Sequence, residues 1–229
     1  MKRISIRILI AFLTFSIGLI VSGIWLLDYK IPNVETPRLE KVCNYPDYEK
    51  TKNEANGIFC SFGLSDSEKR ENLLVSQTYN RFKELGFAYT PDCVDESYRF
   101  LLIPKSESSV VIRIWRFDDK RFLTVKKLES KGTSEIGNVS LENTRSLTDE
   151  EWFGFKAILS QSDFWNMPPV IDEKQPALKK RTIWQMEGKV KNTKYQFVKR
   201  YLPTEEFLKL GKYFLELTQT EREYERYWK

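Results

Sequence analysis

Twenty consecutive residues, Ile8 to Leu27 (ILIAFLTFSIGLIVSGIWLL), carry no charge, and this run constrains everything that follows it. A helix rises about 1.5 Å per residue, so roughly twenty apolar residues cross a hydrocarbon core of about 30 Å. Lys2, Arg3 and Arg7 precede the run, while Asp28 and Lys30 nearly cancel after it. Positive flanks stay on the cytoplasmic side, so the pattern predicts a single-pass protein. Its N-terminus is then cytoplasmic and residues 28–229 extracytoplasmic. The competing reading is a cleaved signal peptide, with Val21-Ser22-Gly23 as small residues at a cleavage site. The anchor is favoured because the apolar run continues through Ile24-Trp25-Leu26-Leu27, where a tryptophan suits an interface. Either reading exports the rest of the chain.

About 200 residues outside the membrane suit one domain with a real core. The hydrophobic fraction of 41% is that of a folded protein rather than a disordered one. Lys2, Arg3 and Arg7 supply three of the formal five excess positive charges, so the remainder carries only two. That balance, like the compartment, argues against nucleic acid as a partner. Of the three cysteines, Cys43, Cys60 and Cys93, an oxidising compartment should pair two and leave one. Cys43–Cys60 is the expected disulfide, because the shorter loop closes more easily. Three reduced thiols would instead signal a wrong compartment.

The chain divides into an anchor over 1–28, a stalk or arm over 29–60, and a single α+β domain over 61–229. Pro32, Pro37 and Pro46 among polar residues leave no periodic pattern in the stalk. Ser65 and Glu68 have capping-box spacing and open a helix with Val75, Tyr79, Phe82 and Leu85 on one face, which Gly86 should end. Three strands are expected at Tyr98–Ile103, Ser109–Phe117 and Arg121–Leu128, separated by turn residues. Residues 129–146, polar and containing Gly132 and Gly137, read as a long exposed loop. Asn138-Val139-Ser140 within it matches a glycosylation acceptor, a pattern too short to weigh much. Thr148 and Glu151 form a second capping box, with Leu147 stapled to Trp152, and the helix should stop near Ser162 ahead of Pro168-Pro169. Two further strands, Thr182–Val190 and Lys194–Leu202, precede a helix that starts near Thr204 and frays after Glu221. The expected fold is therefore α+β, a mainly antiparallel sheet of about five strands with about three helices on one face, preceded by one N-terminal transmembrane helix.

The last two strands should form a hairpin with a two-residue turn at Asn192-Thr193. That register pairs Trp184 with Tyr201 and Gly188 with Phe197, gathering the aromatics on one face. Gln185, Glu187, Lys189, Gln196 and Arg200 then share the other.

The chain contains no histidine. Ser-His-Asp and Cys-His catalysis, histidine general bases and histidine-dependent zinc sites are excluded. No phosphate-binding glycine loop, dinucleotide fingerprint, nucleophile elbow or EF-hand loop is present, and neither cofactor nor metal is expected. Acidic clusters occur at Asp95-Glu96, Asp118-Asp119, Asp149-Glu150-Glu151 and Glu205-Glu206. Two carboxyls about 5–10 Å apart could hydrolyse a glycoside. Two of these clusters, however, begin helices, where acids favour the dipole, and another lies in a turn. Trp115, Trp152 and Trp184 fall on element faces and read as core, whereas Trp165, beside prolines, reads as exposed. Nine lysines and arginines lie in 172–202 against Asp172, Glu173 and Glu187. If the domain binds an anionic surface or an acidic envelope partner, Trp165, Lys189, Lys191, Lys194 and Arg200 are the candidate residues; otherwise they are a solvated face.

Five phrases stand in order over residues 97–215. They are Tyr98-Arg99-Phe100-Leu101, Leu147-Thr148-Asp149-Glu150-Glu151-Trp152, Phe164-Trp165-Asn166-Met167-Pro168, Trp184-Gln185-Met186-Glu187-Gly188 and Tyr195-Gln196-Phe197-Val198-Lys199-Arg200. Together they resemble a group of uncharacterised bacterial proteins that often carry an exported or membrane-anchored N-terminus. The chain departs from that group at Tyr201-Leu202-Pro203, where Trp-Ser-Pro is usual. The resemblance implies the domain limits and a bacterial envelope location, and it transfers no activity. The reading favoured is a membrane-anchored extracytoplasmic module that binds or assembles in the cell envelope, held by the lipid bilayer through Ile8–Leu27. The alternative is a histidine-free envelope hydrolase that uses carboxylates on a glycan.

Overall fold

The computed structural model describes residues 66–84, 90, 93–104, 107–130, 136–169, 182–191 and 193–227. The expected membrane helix at Ile8–Leu27, the arm, Cys43 and Cys60 lie outside these residues. Among the described residues, no helix is long and apolar enough to cross a membrane.

The domain is α+β. Its elements are α1 (Asp66–Phe82), β1 (Glu96–Ile103), β2 (Val110–Phe117), β3 (Lys120–Ser130), β4 (Ile136–Ser146), α2 (Asp149–Gln161), a 3₁₀ turn (Phe164–Asn166), β5 (Ile183–Val190), β6 (Lys194–Arg200), α3 (Glu205–Leu217) and a second 3₁₀ segment (Glu221–Tyr227). Six strands form one antiparallel sheet in the order β4-β3-β2-β1-β5-β6. The sixth strand is β4, where a loop was expected. As an edge strand it leaves residues 138–143 exposed, so no alternation of apolar residues marks it.

Helices cover both faces of the sheet, which corrects the one-face expectation. On the first face, α2 and α3 bury Trp152, Phe155, Leu159, Phe207, Leu210 and Phe214 against Tyr98, Phe100, Ile112, Ile114, Trp184 and Met186. On the second, α1 brings Val75 and Phe82 onto Leu101, Ile103, Val111 and Ile183. Strands β1, β2 and β5 are consequently buried along nearly their whole length. The unbroken apolar runs of Phe100–Ile103 and Val110–Ile112 are the imprint of that two-sided burial.

The capping predicted for α2 is present. Glu151 N donates to Thr148 Oγ1 at 3.2 Å and Thr148 N to Glu151 Oε2 at 2.9 Å. Leu147 and Trp152 lie in one core cluster, and Ser162 caps the helix end. Helix α1 ends four residues before Gly86. Lys83 takes a left-handed φ of 53°, its N–H donates to Asn80 O at 3.1 Å, and Glu84 N–H donates to Tyr79 O at 3.0 Å. This is a Schellman stop made without glycine. The C-terminal segment is held rather than frayed. Tyr224 is fully buried and its hydroxyl donates to Ser108 O at 2.8 Å.

The β5–β6 register differs from the expected one by a single residue. Trp184 faces Arg200, Met186 faces Val198, Gly188 faces Gln196 and Val190 faces Lys194. The loop is three residues long, with Lys191 at φ 41°. One residue of slip moves every β6 side chain to the other face. Val198 therefore joins Trp184 and Met186 in the first core, and Tyr201 joins Ile183 in the second. Burial is satisfied on both faces, so gathering the aromatics on one face was the wrong criterion.

Cys93, in the turn ahead of β1, is disulfide-bonded. The expected Cys43–Cys60 pair falls on residues outside those described.

Candidate functional site

The charges that stand out are buried between α1 and the sheet. Arg99 on β1 lies opposite Arg113 on β2 and opposite Glu187 on β5, and Lys126 on β3 pairs with Val111, two positions along β2. All four side chains project from the α1 face, because residues opposite or two apart share a face of the pleat. Glu84 reaches them from the helix side, at the position that closes the Schellman stop. Its Oε2 accepts from Arg113 Nη2 and, at 3.5 Å, from Arg99 Nη1, while Oε1 lies 3.1 Å from Lys126 Nζ. Arg99 Nε donates to Glu187 Oε2 at 2.7 Å, and Nη2 donates to the same oxygen. Tyr79 completes the enclosure: the Arg99 guanidinium lies 4.2 Å from its ring centroid, and Gln185 Nε2 donates to its hydroxyl at 2.6 Å. Lys126 Nζ also donates to Phe82 O at 3.0 Å, placing a cation on the last turn of α1.

Burial alone would raise the Glu84 pKa, but Arg113, Lys126 and Arg99 outweigh it and hold the carboxyl at about 2. Burial would lower the Arg99 pKa, yet Glu187, Tyr79 and Glu84 carry it above its ordinary value. Burial raises Tyr79 well above the usual phenol range, against the opposing pull of Arg99. These groups are thus moved away from neutral pH. They do not exchange protons there; they hold fixed charge, and the arrangement is suited to gripping a carboxylate.

A second cluster closes the end of the sheet. Lys156 Nζ on α2 donates to Glu96 Oε2 at 2.6 Å and to Tyr98 OH at 3.0 Å, Tyr98 OH donates to Glu96 at 2.7 Å, and Arg116 lies 3.2 Å from Glu96. Burial and the Glu96 carboxylate both raise the Tyr98 pKa. A tyrosine meant to give up its proton needs the opposite, so this cluster pins α2 to β1.

Of the carboxylates weighed as hydrolytic candidates, Asp95, Glu96, Asp149, Glu151 and Glu205 have structural partners. Glu151 caps α2 and takes two hydrogen bonds from Arg145, at 2.7 and 2.6 Å. Asp149 pairs with Arg121, Asp95 with Lys191 at 2.9 Å, and Glu205 with Lys209 at 2.7 Å. Asp118 supplies a left-handed φ of 56° at the β2–β3 turn. Among the described residues, no group of histidine, cysteine, aspartate and glutamate is placed to hold a metal ion.

The five residues expected to form a basic surface are not brought together. Lys189 projects from the α1 face, where its Nζ donates to Thr90 O at 3.2 Å. Lys191 is in the hairpin loop, bound to Asp95. Lys194 and Arg200 belong to the opposite face. Lys194 is exposed, with its Nζ 5.8 Å from the Trp165 ring centroid. Arg200 is buried: Nη2 donates to Pro168 O at 2.7 Å and Nη1 to Pro169 O at 3.2 Å. Trp165 is half-buried against the core rather than exposed. The five residues scatter because the one-residue register slip carries Arg200 to the α2/α3 face.

The same register brings the Phe164–Pro168 and Tyr195–Arg200 phrases together. Gln196 Nε2 donates to the carbonyls of Phe164, Trp165 and Met167, the last at 2.7 Å, so β6 clamps the Phe164–Pro169 segment. Gly188 leaves the room beneath it. A Cβ there would stand 2.7 Å from Phe164, 3.2 Å from Trp165 and 3.2 Å from Tyr98.

Sequence reasoning missed the buried network. Its signal was present in Arg99 and Arg113, single charges inside otherwise apolar strands (YRFLLI, VVIRIW). A charge in that position is buried, and a buried charge needs a partner.

Fold and site together define an α+β domain built on a six-stranded antiparallel sheet, with a charge network sealed under one helix. No protein-family model, curated protein or solved structure matches the chain.

Proposed function

We propose that this chain is a membrane-anchored extracytoplasmic module that binds or assembles with a partner in the cell envelope, without catalysing a reaction. Ile8–Leu27 is the anchor, and residues 28–229 work outside the cytoplasm. The disulfide at Cys93 and the phrase-level resemblance to exported bacterial proteins support that compartment.

The observation that carries the non-catalytic part is the commitment of the acidic groups. Glu84, Glu96, Glu151 and Glu187 are each held by an arginine or lysine, and those pairings join separate elements. A hydrolytic pair needs one carboxyl kept protonated near neutral pH, whereas Glu84, Glu96 and Glu151 are all shifted downward. The purified full chain in detergent should generate no new reducing ends from cell-wall glycan. Photo-crosslinking in intact cells should instead trap a stoichiometric adduct that survives washing. Glycan turnover that disappears in Glu96→Gln would replace this reading with the hydrolase.

A further inference from the structure

We propose that the outer edge of β4 is a contact surface of this module and that its partner is a second copy of the chain, paired β4 to β4 in antiparallel fashion about Thr144. The proposal rests on the binding-module reading above and names its surface and partner.

The phase of the backbone fixes which groups β4 offers. Leu147 N–H donates inward to Arg121 O at 2.9 Å, and successive residues of a strand alternate in direction. Glu142, Thr144 and Ser146 therefore turn their N–H and C=O groups out of the sheet. Among the described residues, the one group bonded to this row is Arg145 Nη1, which donates to Ser146 O at 3.1 Å. Residues 138–143 are exposed, and Ile136–Ser146 contains neither the proline nor the lysine that commonly blunts an edge. The opposite edge is closed. On β6, Phe197 N–H donates to Gln196 Oε1 at 3.2 Å and Lys199 N–H to Pro169 O at 2.8 Å. The segment that ends at Pro169 thus lies along β6, and its prolines have no N–H to offer. Growth from β4 of one copy onto β6 of the next is blocked, so pairing through β4 ends at two chains.

The strand is self-complementary in one register. A two-fold axis through a continuous sheet keeps like faces together, so one residue of β4 must meet itself. Centring on Glu142 or on Arg145 sets like charges opposite each other, which is destabilising. Centring on Asn143 sets Leu141 against the Arg145 guanidinium and draws in Ser140, which lies in the bulge between the Lys127–Leu141 and Leu128–Val139 pairs. Centring on Thr144 uses only the regular stretch. Thr144 meets Thr144 of the copy and Glu142 meets Ser146, so each outward N–H and C=O of the row finds a partner. On the other face Asn143 meets Arg145, and Leu141, which is 41% exposed, meets Leu147. Thr144 also ends a chain of polar contacts, since Trp115 Nε1 donates to Thr124 Oγ1 at 3.5 Å and Thr124 Oγ1 lies 3.0 Å from Thr144 Oγ1. With Thr124 donating, Thr144 keeps its own proton for the same residue of the copy.

The test uses the full chain, in mild detergent micelles and in native membranes. Thr144→Cys should give a disulfide-linked pair of chains under mild oxidation, because facing residues of an antiparallel pair lie within disulfide reach. The wild-type chain and Phe153→Cys, at an exposed position of α2, should not. Sedimentation of the wild-type chain should return two chains per particle. Thr144→Pro, which removes one outward N–H, should return single chains with an unchanged urea midpoint. If Thr144→Pro does not fold, the cysteine result alone decides. Single wild-type chains together with no Thr144→Cys pair overturn the proposal, and a folded Thr144→Pro chain that still pairs overturns the β4 edge as its surface. A Thr144→Cys chain that crosslinks only to another protein overturns the second copy and leaves the binding-module reading in place.

Discussion

Glu84 should make a large contribution to the acid response of this domain. Its folded pKa of about 2 lies below the ordinary carboxylate value of 4.5, so its contribution is complete above about pH 4.5 and is lost as pH falls toward 2. A depression of that size corresponds to roughly 3 kcal/mol. Urea midpoints measured between pH 6 and pH 2.5 should therefore fall steeply below pH 4.5 in the wild-type chain. In Glu84→Gln the starting stability is lower and the slope shallower; parallel curves would mean that another group controls the transition. Gly188 is the second residue on which the interior turns. A methyl group there meets Phe164 at 2.7 Å, so Gly188→Ala should cost about 1–3 kcal/mol in chemical denaturation. That glycine is readable in the sequence as a gap beneath a ring, but the ring belongs to Phe164 rather than Phe197. The arginines of β1 and β2 were equally visible. Their partner was not, because the apolar spacing carries the expected helix on to Leu85, whereas α1 stops at Phe82 and Glu84 follows the left-handed Lys83.

Elements with strong local signals were legible, and those shaped by tertiary context were not. Helices α2 and α3 announce themselves through Thr148 and Thr204, both of which accept the expected backbone hydrogen bond. Thr148→Ala should cost about 1 kcal/mol and nothing else, read as a shift in the urea midpoint. Strand β4 carries no apolar alternation because it lies at the sheet edge, so a hydrophobic pattern could not reveal it. Helix α1 stops at Lys83 with φ 53°, a conformation that an L-residue adopts at a cost and glycine adopts freely. Lys83→Gly should stabilise the domain by about 0.5–1 kcal/mol; no gain would indicate that the stop is not left-handed. In the β5–β6 hairpin the turn sequence admits two registers one residue apart. The choice falls to burial on both faces, which no single strand encodes. Trp184, fully buried against Phe100 in either register, should cost about 3–5 kcal/mol when replaced by alanine.

At the scale of the whole molecule, helices on both faces give the sheet two cores of different character. The α2/α3 side is a continuous aromatic and aliphatic interior. Among the described residues, the α1 side is smaller and interrupted by paired charges. Everything in this account depends on the compartment in which that face is presented. The most direct measurement expresses the full chain, washes membranes with alkaline carbonate and exposes spheroplasts to external protease. The account predicts that the protein remains in the membrane pellet and that protease removes residues beyond the anchor from intact spheroplasts. A protein that stays protected until the cells are lysed would contradict it.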